Sequence, residues 1–197
     1  MKKVLLLLAE GFEIYEASAF VDVIGWNLVD GDGTTELFTC GLRKEIKSSF
    51  HQKFIVDYTV DEIDCDKFSA LAIPGGFSEY HFYEDAYDER FLNVIREFNR
   101  LGKIIASICV GALPVGKSGI LTGRCGTTYN QKNGVRQEKL KEYGVQVLNR
   151  PIVMDGNVIT SWNPSTAIEV ALLLLEWLTS KEQANYIRNL MGFAEKE

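Results

Sequence analysis

Residues 3–9 read KVLLLLA, an apolar run in which no polar residue alternates. A strand of that kind has to be covered on both faces, so it asks for helices on either side of a mainly parallel sheet. The run ends in Glu10, Gly11 and Glu13 without a convincing leader-peptidase site, and the expectation is a buried first strand rather than a secretory signal. The apolar stretch AIEVALLLLEWL near the other end carries Glu169 and Glu176 and is too short to cross a bilayer.

The rest of the chain alternates in the way a doubly wound α/β protein requires. Ile14, Ala17, Phe20/Val21 and Ile24 recur at helical spacing, and DGDG at 30–33 breaks that helix before a strand in TTELFTC. Residues 41–60 read as short polar strands or a hairpin excursion. ALAIPGG at 70–76, ending at Pro74-Gly75-Gly76, and KIIASIC at 103–109 read as buried strands on either side of an amphipathic helix over 88–102, with Phe91, Val94/Ile95, Phe98 and Leu101 inward. A helix is expected in VGALPVGKSGIL, with Pro114 near its first turn, then a short strand at 123–128 and a polar, partly helical piece in QKNGVRQEKLKEYG. Asp155-Gly156 between apolar runs predicts a hairpin over 151–160. Ser165 or Thr166 can cap the next helix, and a last helix presents Tyr186, Ile187, Leu190 and Met191. No linker or repeat interrupts the pattern, so residues 1–197 are read as one domain.

A net charge of −6 with no basic tract argues against nucleic acid or an anionic membrane as partner. Cys40, Cys65, Cys109 and Cys125 form no CxxC pair, which fits reduced thiols and a cytoplasmic setting. Neither a Walker loop, nor a dinucleotide fingerprint, nor zinc-ligand spacing is present, so no metal and no cofactor are expected.

Cys109 is the residue whose position suggests chemistry. It ends a strand and precedes a helix, where ligands gather in open α/β sheets, and helix amides aimed at the sulfur favour thiolate. Gly111 leaves room for a sharp turn. Glu13 and Glu16, just past the first strand, are both candidates to exchange a proton with it. Gly75 and Gly76 can offer backbone N–H groups to an oxyanion.

LLLAEGFEIYE, AIPGG, ASICVGALPVGKSGILTGR and VITSWNPSTAIEVALLLLE, in that order over roughly residues 3–178, resemble the ThiJ/PfpI superfamily. The resemblance implies a flavodoxin-like three-layer sandwich, a class I glutamine amidotransferase-like fold, and a homodimer. It makes Cys109 the nucleophile-elbow cysteine, Glu16 the protonated glutamate bonded to it, and Gly75, Gly76 and the Val110 amide the oxyanion region. Many such proteins place a histidine where this chain has Tyr129. The only histidines are His51 and His81; His81 could approach the pocket rim, and Trp162 could line the pocket.

Without that histidine, a cysteine peptidase or amidase lacks its general base. A Cys–Glu pair still suffices for small electrophiles: a 2-oxoaldehyde, deglycase-like or hydratase-like enzyme is the expectation. The alternative is a non-catalytic redox or stress-response protein whose Cys109 meets an oxidant.

Overall fold

The structure, a computed structural model, describes residues 1–193. In chain order the strands and helices are β1 (Lys2–Leu8), α1 (Ile14–Val29), β2 (Thr35–Gly41), β3 (Glu45–Lys47), β4 (Lys53–Ile55), β5 (Tyr58–Thr59), β6 (Ala70–Ile73), α2 (Phe82–Ala86) and α3 (Glu89–Arg100). They continue as β7 (Ile104–Ser107), α4 (Ala112–Lys117), β8 (Cys125–Gly126), α5 (Val135–Glu142), β9 (Gln146–Val147), β10 (Ile152–Asp155), β11 (Val158–Ser161), α6 (Ala167–Leu178) and α7 (Lys181–Leu190).

Seven strands form one sheet in the order β10-β11-β7-β6-β1-β2-β5. Every neighbouring pair is parallel except β10 with β11. Val4 to Leu8 are buried almost completely, because helices cover β1 from both sides. Helices α1, α6 and α7 pack together on one face, and α3, α4 and α5 on the other. This is the expected three-layer α/β sandwich with a mainly parallel sheet. The chain leaves β1 toward β2 on one side and later returns to β6 on the other, so strand order reverses between β1 and β6. A crevice opens beyond the carboxyl ends of strands at such a point.

Several local expectations shift. The inner stripe of α1 uses Ala17, Phe20, Val23 and Ile24, while Val21 stays 43% exposed. Residues 41–60 split: β3 and β4 pair as a separate antiparallel hairpin, whereas β5 extends the main sheet. The helix expected after Cys109 is a 3-10 turn over Cys109–Gly111 followed by six residues of α4. Neither Ser165 nor Thr166 caps α6; Thr166 Oγ1 bonds Ser161 Oγ and the Asn163 carbonyl instead. Along α7 the buried residues are Ala184 and Ile187, with Tyr186 and Leu190 exposed. The Asp155-Gly156 turn does join β10 to β11, pairing Asp155 with Val158, and Gly156 takes φ +56 there.

No helix among the described residues is long and apolar enough to cross a membrane.

Candidate functional site

Three strand ends build the site. After β1 the chain turns through Gly11 and Phe12 into α1; after β6 it turns through Pro74, Gly75 and Gly76. The two turns are sewn together by bonds from Glu13 N–H to the Gly75 carbonyl at 2.8 Å and from Phe77 N–H to the Gly11 carbonyl at 3.1 Å. Glu16, one turn into α1, therefore points at the β6 turn rather than at solvent. The third strand end, β7, delivers Cys109.

Cys109 has φ +56, a left-handed conformation that costs a non-glycine residue on the order of 1 kcal/mol or more. The surroundings hold it there. Its carbonyl accepts from Thr128 Oγ1 at 2.8 Å and from the Ala112 amide, while Gly111 N–H donates to the Ile108 carbonyl at 2.9 Å. Gly111 is required for the close crossing: a Cβ there would stand 2.7 Å from the Ile73 carbonyl oxygen and 2.9 Å from that of Pro74.

Glu16 is fully buried. Its Oε2 accepts the Gly75 N–H at 2.5 Å, and Oε1 is sealed from solvent without a well-directed hydrogen bond. Desolvation, then the negative field of Glu13, pushes its pKa up to about 8 against the pull of the Gly75 amide, so the carboxyl holds a proton at neutral pH. Glu13 is raised as well, by its own partial burial. Cys109 departs from the sequence expectation of a dipole-stabilised thiolate. Burial first, and the facing Glu16 second, push its thiol up, and the Val110 amide only partly offsets them. A six-residue helix behind one 3-10 turn has little dipole to set against burial.

Cys109 lies on the wall of a cavity of about 400 Å³, lined also by Glu13, Gly76, Tyr83, Val110 and Tyr129. Sequence reasoning missed Tyr83 and the rest of the lining: Phe77, Ser78 and Glu79 after β6, Pro164 before α6, and Lys132, Val135 and Arg136 around the start of α5. The α5 residues lay in a stretch that reads as plain polar surface; only the Asn133-Gly134 turn signalled a tight reversal there.

Three expected placements need correction. His81 lies on another face: it lines a separate depression with Glu10, Arg43 and Asp85, and its exposed ring bonds Glu84 at 2.7 Å. It takes a left-handed φ of +68 at the entry to α2. Trp162 is half-buried outside the cavity lining, its Nε1 enclosed without a partner. Gly75 is not a free oxyanion donor, because its N–H is committed to Glu16. The Gly76 N–H takes no acceptor among the described residues, and Val110 N–H faces the sulfur. His51 is exposed and packs edge-on against Tyr80. Among the described residues no group of His, Cys, Asp and Glu converges as a metal site would.

Sheet order, the crevice at the strand reversal and a strained cysteine at the neighbouring strand end define a doubly wound α/β protein with a thiol in its ligand cleft. The chain belongs to the DJ-1/PfpI family, whose model matches residues 2–177. It is 30% identical over 163 residues to the deglycase PfpI of Pyrococcus furiosus, covering 82% of this chain and 90% of that one. With the dj-1beta protein of Drosophila melanogaster it shares 28% identity over 190 residues, 94% of either chain. The crystal structure of Drosophila DJ-1beta superposes with a TM-score of 0.85 at 25% identity, covering 98% of this chain and 99% of that one.

Proposed function

We propose that this chain is a cysteine-dependent enzyme of small electrophilic carbonyl compounds, with 2-oxoaldehyde or deglycase-type chemistry run by Cys109 at a nucleophile elbow and Glu16 behind it. One observation carries the reading: the sulfur of Cys109, in a strained backbone conformation, meets on one side a substrate-sized cavity and on the other the fully buried Glu16 carboxyl, whose pKa burial raises. The likeness to a deglycase supports the same chemistry.

The addition step balances without a histidine. Sulfur bonds to the carbonyl carbon, and the carbon–oxygen π pair moves onto oxygen. The thiol proton passes to the new alkoxide, while the Glu16 carboxyl stays behind the sulfur. Glu16 ends as it began, and the adduct is a neutral hemithioacetal. Gly76 N–H and Val110 N–H are the donors available to the oxygen while charge develops there. Tyr129, on the cavity wall, can donate a hydrogen bond.

The test is intact-mass analysis of Cys109 after a panel of aldehydes, beside turnover. Selective labelling with turnover lost in Cys109→Ala supports the proposal; an inert Cys109 in the wild-type chain ends it.

A second reading has its own support. No histidine lines the cavity, while Val110 N–H and the Glu16 carboxyl flank the sulfur as they would flank a sulfinate. On that reading Cys109 is an oxidant sensor, and peroxide would modify this one thiol while no aldehyde is turned over.

We extend the proposal to a homodimer. Val21, Trp26 and Val29 on the outer face of α1 remain 43%, 39% and 78% exposed, and they line one shallow depression in which a second copy could bury them.

A further inference from the structure

We infer that the Cys109 cavity selects a small carbonyl compound bearing a carboxylate, gripped by Arg136 with Lys132 beside it. The inference rests on the reading of Cys109 as a reactive thiol and adds the charge of its substrate.

Both cations are delivered to the cavity by an unusual stretch of backbone. Lys132, Asn133 and Gly134 are all left-handed, at φ 54, 60 and 71. That reversal starts α5 so that Lys132, Val135 and Arg136 all line the same cavity as Cys109. The Arg136 guanidinium lies 5.1 Å from the centre of the Tyr83 ring, which orients the fork while leaving its edge uncommitted.

Six of the seven other arginines show what this one lacks: Arg43, Arg90, Arg96, Arg100, Arg124 and Arg188 each hold a carboxylate at between 2.5 and 3.3 Å. The seventh, Arg150, has no such bridge among the described residues but is exposed and lies outside the cavity lining. Arg136 forms no such bridge among the described residues, nor does Lys132. A half-buried guanidinium beside a nucleophile, stacked but not paired, is a built receptor for a planar anion.

The placement of charge around the cavity points the same way. Lys132 and Arg136 stand together at the start of α5, whereas Glu79 and Glu13 come from the turns after β6 and β1.

The test separates this inference from its premise by using two alkylating agents of one reactivity class. Iodoacetate carries the carboxylate and iodoacetamide is neutral. Their rates at Cys109, located by peptide mass, are each divided by the rate with glutathione. The wild-type chain should favour iodoacetate by roughly tenfold in that normalised ratio, the effect of one charge-assisted contact. Arg136→Met should bring the ratio near one, and Arg136→Lys should keep part of the preference. Circular dichroism checks that each variant is folded. In turnover, Arg136→Met should lower the ratio of kcat/KM for glyoxylate to that for methylglyoxal by about tenfold. A wild-type ratio near one, or a preference that survives Arg136→Met, overturns the inference and leaves the reactive thiol standing. If neither reagent reaches Cys109, the premise fails and the inference falls with it.

Discussion

Gly75 N–H donates to Glu16 Oε2 at 2.5 Å, joining residues 59 positions apart in the chain. A backbone group that a strand-end turn would ordinarily show to a ligand is used here to seat an acid. The same bond explains why position 75 has no side chain: a Cβ would stand 2.9 Å from that Oε2, 3.0 Å from Val110 Cγ2 and 3.1 Å from Val110 N.

Gly75→Ala should therefore displace Glu16 and the Val110 turn together. The expected cost is about 1–3 kcal/mol, as for overpacked interiors, read by chemical denaturation. Alkylation of Cys109 should change by more than stability alone explains. Wild-type kinetics in a folded Gly75→Ala chain would refute the coupling.

The raised Glu16 pKa has a definite sign in stability. Between its ordinary value of 4.5 and about 8, the folded chain keeps a proton that the unfolded chain has released. The stabilisation from that proton is complete below 4.5 and fades as pH rises through 8, by about 1.4 kcal/mol for each pH unit inside that window. Glu16→Gln removes this dependence, while Glu13, raised in the same direction, keeps its own. Melting temperatures from pH 5 to 9 should fall more steeply for wild type than for Glu16→Gln. Parallel curves would show that Glu16 is ionised at neutral pH.

Strain at Cys109 can be measured by paired substitutions. Glycine accepts φ +56 and alanine does not. Cys109→Gly should then be more stable than Cys109→Ala by about 0.5–1 kcal/mol, although glycine ordinarily loses to alanine by a similar amount. The reverse order would mean that the turn carries no strain.

His81→Ala should leave Cys109 labelling and turnover unchanged, since the ring faces Glu84 outside the cavity. Stability should move by no more than about 0.5 kcal/mol, as for other exposed sites. A large loss of activity would return His81 to the site.

Val29→Glu places a charge in the α1 depression. Sedimentation should show a dimer for wild type and a monomer for the variant; a monomeric wild type sinks the homodimer.

How far the sequence reached depended on the range of the interaction. Unalternating KVLLLLA demands cover on both faces, and the period of 88–102 fits only one helical face, so the parallel sandwich followed from local pattern. Cys109 was legible because its position between a strand and a turn is itself local. The charge state around it was not. A lone sulfur at a helix start favours thiolate, but burial is a property of everything packed against it, and here burial pushes the thiol up. Val21 and Val23 are alike in chemistry and two positions apart; only the packing of α1 against α6 and β2 chose Val23 for the core. His81 and Arg136 exchanged their expected importance for the same reason. The histidine lies outside the cavity lining, and a run of three left-handed residues carried the arginine into it. Periodicity and strand-end position, set by neighbours in the chain, determined the fold and the nucleophile candidate. The partners of Glu16, the protonation of the pair and the cations facing it come from strand ends far apart in sequence, and only the folded sheet brings those ends together.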